Sequence, residues 1–380
     1  MCDQRQAIGI LGEVYAACNP IFQNAIAGAW LYGSYARGDY HAEKDPISFA
    51  LFVTYFPQLV AGPIESPGNL LPQLVKEHFW NKEDFLAGLR IMICGFFYKC
   101  VVADFIGIHV NAVYDNLDSA NALAIALAGL LFCFQMFCDF AGYSEIATGC
   151  ARMMGVRLMR NFDQPYISQC YTEYFRRWHI SLNQWFTNYV YIPLGGSRKG
   201  TARKLLNLTI VFLLCGLWHG ARWTYVLWGL YAAVWLCLET VLDIPKKVRA
   251  HQTPLLRAVR ICYMFLLFIP SSLMFRANDL DQLVVIFTRL FTQFGFGESY
   301  FQSAFDTLNM DLWTLAQVVL SIVCMVKVHR LTLQDLTVSQ EDTSFFQRAT
   351  GIGYLVVLIG ICWISLLATD AAAGFAYFQF

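Results

Sequence analysis

The chain has 380 residues, of which 57% are hydrophobic and only 14% charged, whereas soluble globular chains carry about 25% charged residues. That deficit excludes an ordinary soluble protein and points to lipid as the solvent. Lys plus Arg and Asp plus Glu number 27 each, so there is no basic excess of the kind that binds nucleic acid. The 13 Cys are scattered through apolar runs without paired CxxC spacing. They therefore read as small core hydrophobes rather than a disulfide frame or a zinc site, and no metal is expected.

A membrane-spanning helix needs about 20 mostly apolar residues. Runs that approach this length are Ile47 to Ile64, Phe85 to Ile108, Ala120 to Gly142, Leu205 to Leu217, Trp223 to Val241, Leu255 to Phe275, Leu312 to Val328 and Ile352 to Ala368. The expected fold class is therefore all-α and polytopic, with re-entrant and amphipathic helices. Leu280 to Phe294, with Leu283, Ile286, Phe287, Leu290 and Phe291 at helical spacing, reads as amphipathic rather than spanning. Residues 1–37 match neither a signal peptide nor a clean span.

Basic residues set the expected orientation. Nine Lys or Arg between Arg152 and Lys204 face only two acids, Asp163 and Glu173, and Lys246, Lys247, Arg249, Arg257 and Arg260 form a second basic loop. Both loops are expected to be cytoplasmic. The segment between them must enter and return as a hairpin whose turn lies near Trp218-His219-Gly220-Ala221-Arg222. From Lys204 to His219 is about 22 Å of helix, which places His219 deep in the membrane.

Ionisable side chains inside apolar runs are expensive and so attract functional readings. A neutral His219 imidazole has the chemistry of a general base for a hydroxyl, and Gly220 beside it permits close approach; a helix-to-helix hydrogen bond is the plainer alternative. Phe175, His179, Leu182 and Phe186 fall at helical spacing, which predicts one amphipathic or re-entrant helix with His179 on its aromatic face. Trp178, Arg177 and Asn183 lie beside it. Asp139 and Glu145 must face a partner or a wet cavity, either orienting a His or holding an Arg such as Arg152. The stretch from Phe56 to Glu65 puts Pro57, Gly62 and Pro63 at membrane depth, as a lining of a substrate path or as a kinked packing helix. P-loop, GxGxxG, HExxH and GxSxG patterns do not occur, so kinase, dehydrogenase and hydrolase readings have no support.

Several segments together resemble the membrane-bound O-acyltransferase family, in its alginate O-acetyltransferase-like branch: Phe56 to Glu65, Asp139-Phe140-Ala141-Gly142-Tyr143-Ser144-Glu145, Asn161 to Tyr166, Phe175-Arg176-Arg177-Trp178-His179-Ile180-Ser181-Leu182, Tyr189 to Arg198, Gly216-Leu217-Trp218-His219-Gly220-Ala221, Phe275-Arg276-Ala277 and Tyr377 to Phe380. The resemblance implies a multi-pass bacterial inner-membrane enzyme, with residues 38–380 as its transferase domain and residues 1–37 as an atypical N-terminus, truncated or differently started. It implies no bound cofactor and a donor that is acetyl-CoA or another acyl thioester. The acceptor would be a cell-surface or exported polysaccharide, with room for a periplasmic acetyl-transfer partner protein. His219 is implied as the catalytic residue and His179 as the second functional one, with Trp218, Trp178, Arg177, Asn183, Asp139, Glu145 and Pro63 as supporting or substrate-path residues. D-alanyl transfer to teichoic acid and a non-catalytic transport component are the alternatives. Cys215, four residues before His219, shares its helix face but reads as packing. Asn188 stands where related sequences often carry an acid.

Overall fold

The computed structural model describes residues 46–59 and 62–337, and all regular structure among them is helical. The span expected at Ile352 to Ala368, the closing motif Tyr377 to Phe380, residues 1–37, and Val60 and Ala61 lie outside the described residues. Among the described residues six helical segments are long and apolar enough to cross a membrane: Lys82–Asp115, Ala122–Met153, Gly200–His219, Trp223–Val241, Pro254–Arg276 and Leu312–His329.

The expected first span is corrected. Among the described residues helix α1 runs Pro46–Thr54, and a single tight turn at Phe56–Gln58 follows it. Pro57 and Pro63 supply no backbone N–H to continue a ladder. Gly62 also lies so close over Pro57 that an added Cβ would stand 2.4 Å from its carbonyl oxygen. The run Ile47 to Ile64 is therefore not one continuous helix, and the chain turns into α2 (Pro67–Leu74).

Helix α3 (Lys82–Phe96) starts where the Asn81 side chain accepts from the Glu83 and Asp84 N–H groups, a strong N-cap. It continues through a wide π-type turn, Phe97–Ala103, into α4 (Asp104–Asp115). Helix α5 (Ala122–Met153) is the axis of the fold, and most of its length is buried. It packs against α3 along a glycine seam. A Cβ on Gly88 would meet the Gly149 carbonyl oxygen at 2.5 Å, and one on Gly95 would meet that of Gly142 at 2.6 Å. Such close backbones gain van der Waals contact where lipid offers no hydrophobic drive.

Beyond α5 the chain forms two short helices, α6 (Tyr171–Arg177) and α7 (Ile180–Phe186). The antiparallel hairpin of α8 (Gly200–His219) and α9 (Trp223–Val241) follows. Gly216 faces the Tyr225 carbonyl and Gly229 faces that of Phe212, so this pair is as close as α3 and α5. The short α10 (Ile244–Ala250) leads into α11 (Pro254–Arg276). Helix α12 (Leu280–Thr292) is short, burying Leu283 and Ile286 while Phe291 stays exposed, as its amphipathic pattern predicts. Then come α13 (Glu298–Thr307) and α14 (Leu312–Thr337).

The two basic loops meet at one end of the bundle. The Gln169 amide bonds Gln252 at 3.2 Å, and the Arg260 guanidinium donates to the His251 carbonyl at 2.8 Å. The α8–α9 turn lies at the opposite end, as the hairpin reading requires.

Candidate active site

The predicted continuous helix through His179 is corrected. The backbone breaks at Trp178 and His179, and His179 takes φ 45 and ψ 56, a left-handed conformation that few non-glycine residues adopt. Long-range bonds impose the break. The Ile180 N–H donates to the Asn161 carbonyl at 2.9 Å, and the Asp163 N–H donates to the Arg177 carbonyl at 2.9 Å. Asn183 clamps the kink from inside: its side-chain amide reaches the carbonyls of Phe175 at 2.6 Å, Trp178 at 2.7 Å and His179 at 3.3 Å. A buried chain of bonds then ties the kink to α5. Ser181 donates to the Asn161 side chain at 2.6 Å, which donates to Ser144 at 3.0 Å.

At the other end of the site, α8 terminates at His219 because Gly220 adopts φ 155 and ψ 161, a region essentially restricted to glycine. A Cβ there would stand 2.9 Å from the Tyr225 ring. The kink and the hairpin turn meet across α5 and α11, and both imidazoles line one cavity of about 80 Å³ with an otherwise mostly aromatic wall. The His179 ring meets Phe140 edge-on at 4.6 Å between centroids. The His219 ring meets Phe275 at 4.9 Å and Trp228 at 5.3 Å. Trp218 lies between the two imidazoles, 5.8 Å from His179 and 4.7 Å from His219. Trp178 completes the wall beside Tyr174. Burial, reinforced by the nearby His219, holds the His179 imidazole well below its ordinary pKa and therefore neutral.

Among the described residues no carboxylate is bonded to either imidazole. Asp139, fully buried, faces away from the cavity to Lys99 at 2.9 Å, and Lys99 also holds Asp104 at 2.6 Å. Glu145 faces His329, with 3.7 Å between Oε1 and Nδ1. Arg152 pairs with Asp84 at 2.7 Å, so the expected link from Arg152 to Asp139 or Glu145 is corrected. Arg177 bonds Glu173 at 3.0 Å and the Asp163 carbonyl at 3.1 Å, supporting the kink from outside. Pro63 is buried but is not among the residues that line the cavity. Of the residues singled out from sequence, His179, His219, Trp178, Trp218 and Asn183 come together here, while Asp139, Glu145 and Pro63 do not.

Sequence reasoning missed Trp228 and Ser271, which line the cavity from α9 and α11; Tyr166 and Phe275, which also line it, were marked only as parts of segments that carry the family resemblance. Nothing in the local pattern of Trp228 or Ser271 marks either. It also missed Lys99 and Asp104, whose presence five residues apart inside an apolar run is a readable signal of a buried ion pair. Glu239 was missed too: from α9 it accepts from the N–H groups of Tyr171 at 2.5 Å and Thr172 at 2.8 Å, and from the Thr172 hydroxyl at 2.7 Å.

Comparison with known proteins agrees with this geometry. The profile of the membrane-bound O-acyltransferase family matches residues 28–274. The chain is 33% identical over 366 residues to "Probable alginate O-acetylase AlgI" of Pseudomonas putida, covering 90% of this chain and 71% of that protein. It is 32% identical to the protein of the same name in Azotobacter vinelandii, over 90% of this chain and 72% of that one. Against "Peptidoglycan O-acetyltransferase" of Helicobacter pylori it is 33% identical over 62% of this chain and 45% of that protein. The six apolar helices, the paired-histidine cavity and these matches agree: the chain belongs to the membrane-bound O-acyltransferase family and is a multi-pass membrane acyltransferase.

Proposed function

We propose that this acyltransferase moves an acetyl group from a thioester donor such as acetyl-CoA to hydroxyls of a cell-surface or exported polysaccharide, with His219 as general base. The observation that carries the reading is the meeting of His219 and His179 in one mostly aromatic cavity. The names of the relatives, a probable alginate O-acetylase and a peptidoglycan O-acetyltransferase, support acetyl as the group and a polysaccharide as the acceptor.

In this reading the neutral His219 imidazole takes the proton of the acceptor hydroxyl as its oxygen attacks the thioester carbonyl. The C–O bond forms, the C–S bond breaks, and the departing thiolate recovers the proton from the imidazolium. A wall of Phe, Tyr and Trp keeps out the water that would otherwise hydrolyse the donor. His179, neutral and across Trp218, holds the donor carbonyl or relays the proton. The basic loops face the cytoplasm, so the donor enters from that end of the bundle and the acceptor from the α8–α9 turn in the bacterial inner membrane. A periplasmic partner protein would present the acceptor there.

The test is transfer of label from radiolabelled acetyl-CoA to cell-envelope polysaccharide in membranes carrying the parent chain, His219→Ala or His219→Gln. Incorporation by the parent that falls at least about 100-fold in both variants is the expected result. Equal incorporation by all three sinks the catalytic assignment.

A further inference from the structure

Helix α14 buries a histidine, His329, against α5. It lies beyond residue 274, where the match to the family profile ends, and it does not line the cavity. Its ring meets Phe137 edge-on at 5.5 Å between centroids and lies 6.3 Å from that of Tyr98. Phe137 in turn lies 6.1 Å from Trp178, which does line the cavity. His329 therefore stands behind the wall of the site.

Both nitrogens of His329 face polar groups. Nε2 accepts from the backbone N–H of Gln164 at 2.9 Å. An amide N–H can only donate, so Nε2 carries no proton and the ring proton sits on Nδ1. Nδ1 faces Oε1 of the buried Glu145 at 3.7 Å, and a carboxylate on that side favours this tautomer. Gln164 takes φ 47 and ψ 58, a left-handed conformation. A residue other than glycine stays there only where its surroundings impose it.

The Gln164 turn touches the site on both sides. Asp163, the residue before it, donates its N–H to the Arg177 carbonyl at 2.9 Å, and the Arg177 guanidinium donates to the Asp163 carbonyl at 3.1 Å. Arg177 leads directly through Trp178 into the kink at His179. Two residues after Gln164, Tyr166 enters the cavity wall.

We propose that His329 is a positioning residue for acyl transfer. Held by Glu145 as the Nδ1–H tautomer, it fixes the Gln164 turn, and through that turn it keeps the His179 kink and Tyr166 in place around the cavity. The proposal rests on transfer taking place at the His219 and His179 cavity, and adds a histidine that stands outside it. It also gives a role to Glu145, which the cavity does not use.

The test compares the full chain carrying His329→Gln, His329→Asn or His329→Phe with the parent. Backbone hydrogen exchange is read in detergent, and transfer from radiolabelled acetyl-CoA to cell-envelope polysaccharide is read in membranes. Gln places an acceptor oxygen about where Nε2 stands, Asn reaches only as far as Nδ1, and Phe keeps a ring without an acceptor. Exchange across residues 161–183 should quicken at least about tenfold in the Asn and Phe variants. Helices α8, α9 and α14 should keep parental protection, and the Gln variant should stay within about twofold of the parent throughout. In the Asn and Phe variants kcat should fall about tenfold while KM changes less than about twofold, and Gln should restore it.

Faster exchange spread evenly over all the helices would make His329 a general packing residue and overturn the proposal. Asn and Gln variants that behave alike overturn it too, whether both match the parent or both are impaired. So does a kink that loosens while kcat holds. Where the Phe variant fails to fold, the Asn and Gln pair decides alone. Exchange needs no turnover. A parent that protects the kink through His329 yet transfers no acetyl from acetyl-CoA keeps the clamp and refutes the donor reading instead.

Discussion

Replacing Glu239 with Ala should loosen the kink at His179 from a distance. Helix α6 is only seven residues long, and its N-cap residue, Cys170, makes no side-chain cap bond. Glu239 from α9 replaces that cap with three bonds of 2.5 to 2.8 Å to Tyr171 and Thr172. A hydrogen bond to a charged group contributes about 1.5–3 kcal/mol, and a carboxylate at a helix N-terminus adds about 0.3–1 kcal/mol from the dipole. Allowing for non-additivity, Glu239→Ala should cost about 3–5 kcal/mol, because two backbone donors and a hydroxyl are left buried without acceptors. Glu239→Gln keeps one acceptor oxygen and should cost about half as much. The assay is thermal unfolding of the detergent-solubilised protein, paired with kinetics of acyl transfer. Since α6 leads directly into His179, the Ala variant should lose kcat even below its melting temperature. An Ala variant that melts with the parent would refute the capping argument.

Gly220→Ala should cost about 1–3 kcal/mol from backbone strain and press its Cβ into the Tyr225 ring beside His219; kcat should fall more than KM rises, and a variant with parental kinetics would show that the turn has slack. Lys99→Met should leave the Asp104 and Asp139 carboxylates without their shared cation and cost about 3–5 kcal/mol, read as reduced recovery of folded protein from detergent; full recovery would mean the pair is dispensable. Burial sets the His179 imidazole below its ordinary 6.5, so below that pH the unfolded chain binds more protons than the folded one. Stability should therefore fall as the medium is acidified through about 6.5 and below, and His179→Gln should flatten that dependence; a parent and variant with parallel stability curves would exclude His179 as its source.

The spans were legible because insertion in lipid is decided locally, by length and apolarity: the run Trp223 to Val241 coincides with α9 to the residue. The same local logic failed at Ile47 to Ile64, where hydropathy counts apolar side chains but prolines withhold backbone donors. It failed again at His179. Phe175, His179, Leu182 and Phe186 keep helical spacing across the break because α6 and α7 bury related faces, while the break itself comes from bonds to Asn161 and Asp163 that local periodicity does not encode. Partner choice was harder still. Nothing local to Arg152 favours Asp84 over Asp139, since the choice depends on α3 packing against α5 through its glycine seam.

What distinguishes this site from a hydrogen-bonded catalytic relay is where its polar bonds go. Asn183, Asn161, Ser181 and Glu239 act on backbone groups, on the Ser144 and Thr172 hydroxyls or on one another, and none of these bonds goes to an imidazole. The His rings are aimed instead by aromatic contacts, Phe140 for His179 and Phe275 with Trp228 for His219. Such contacts fix a ring without occupying its nitrogens. A carboxylate bonded to His219 would raise its basicity but would also bring a charge into a mostly aromatic cavity. Orientation by backbone conformation and aromatic packing avoids that charge. It also makes the geometry depend on the left-handed turn at His179 and the open turn at Gly220, two of the positions where the chain accepts conformations that ordinary helices do not.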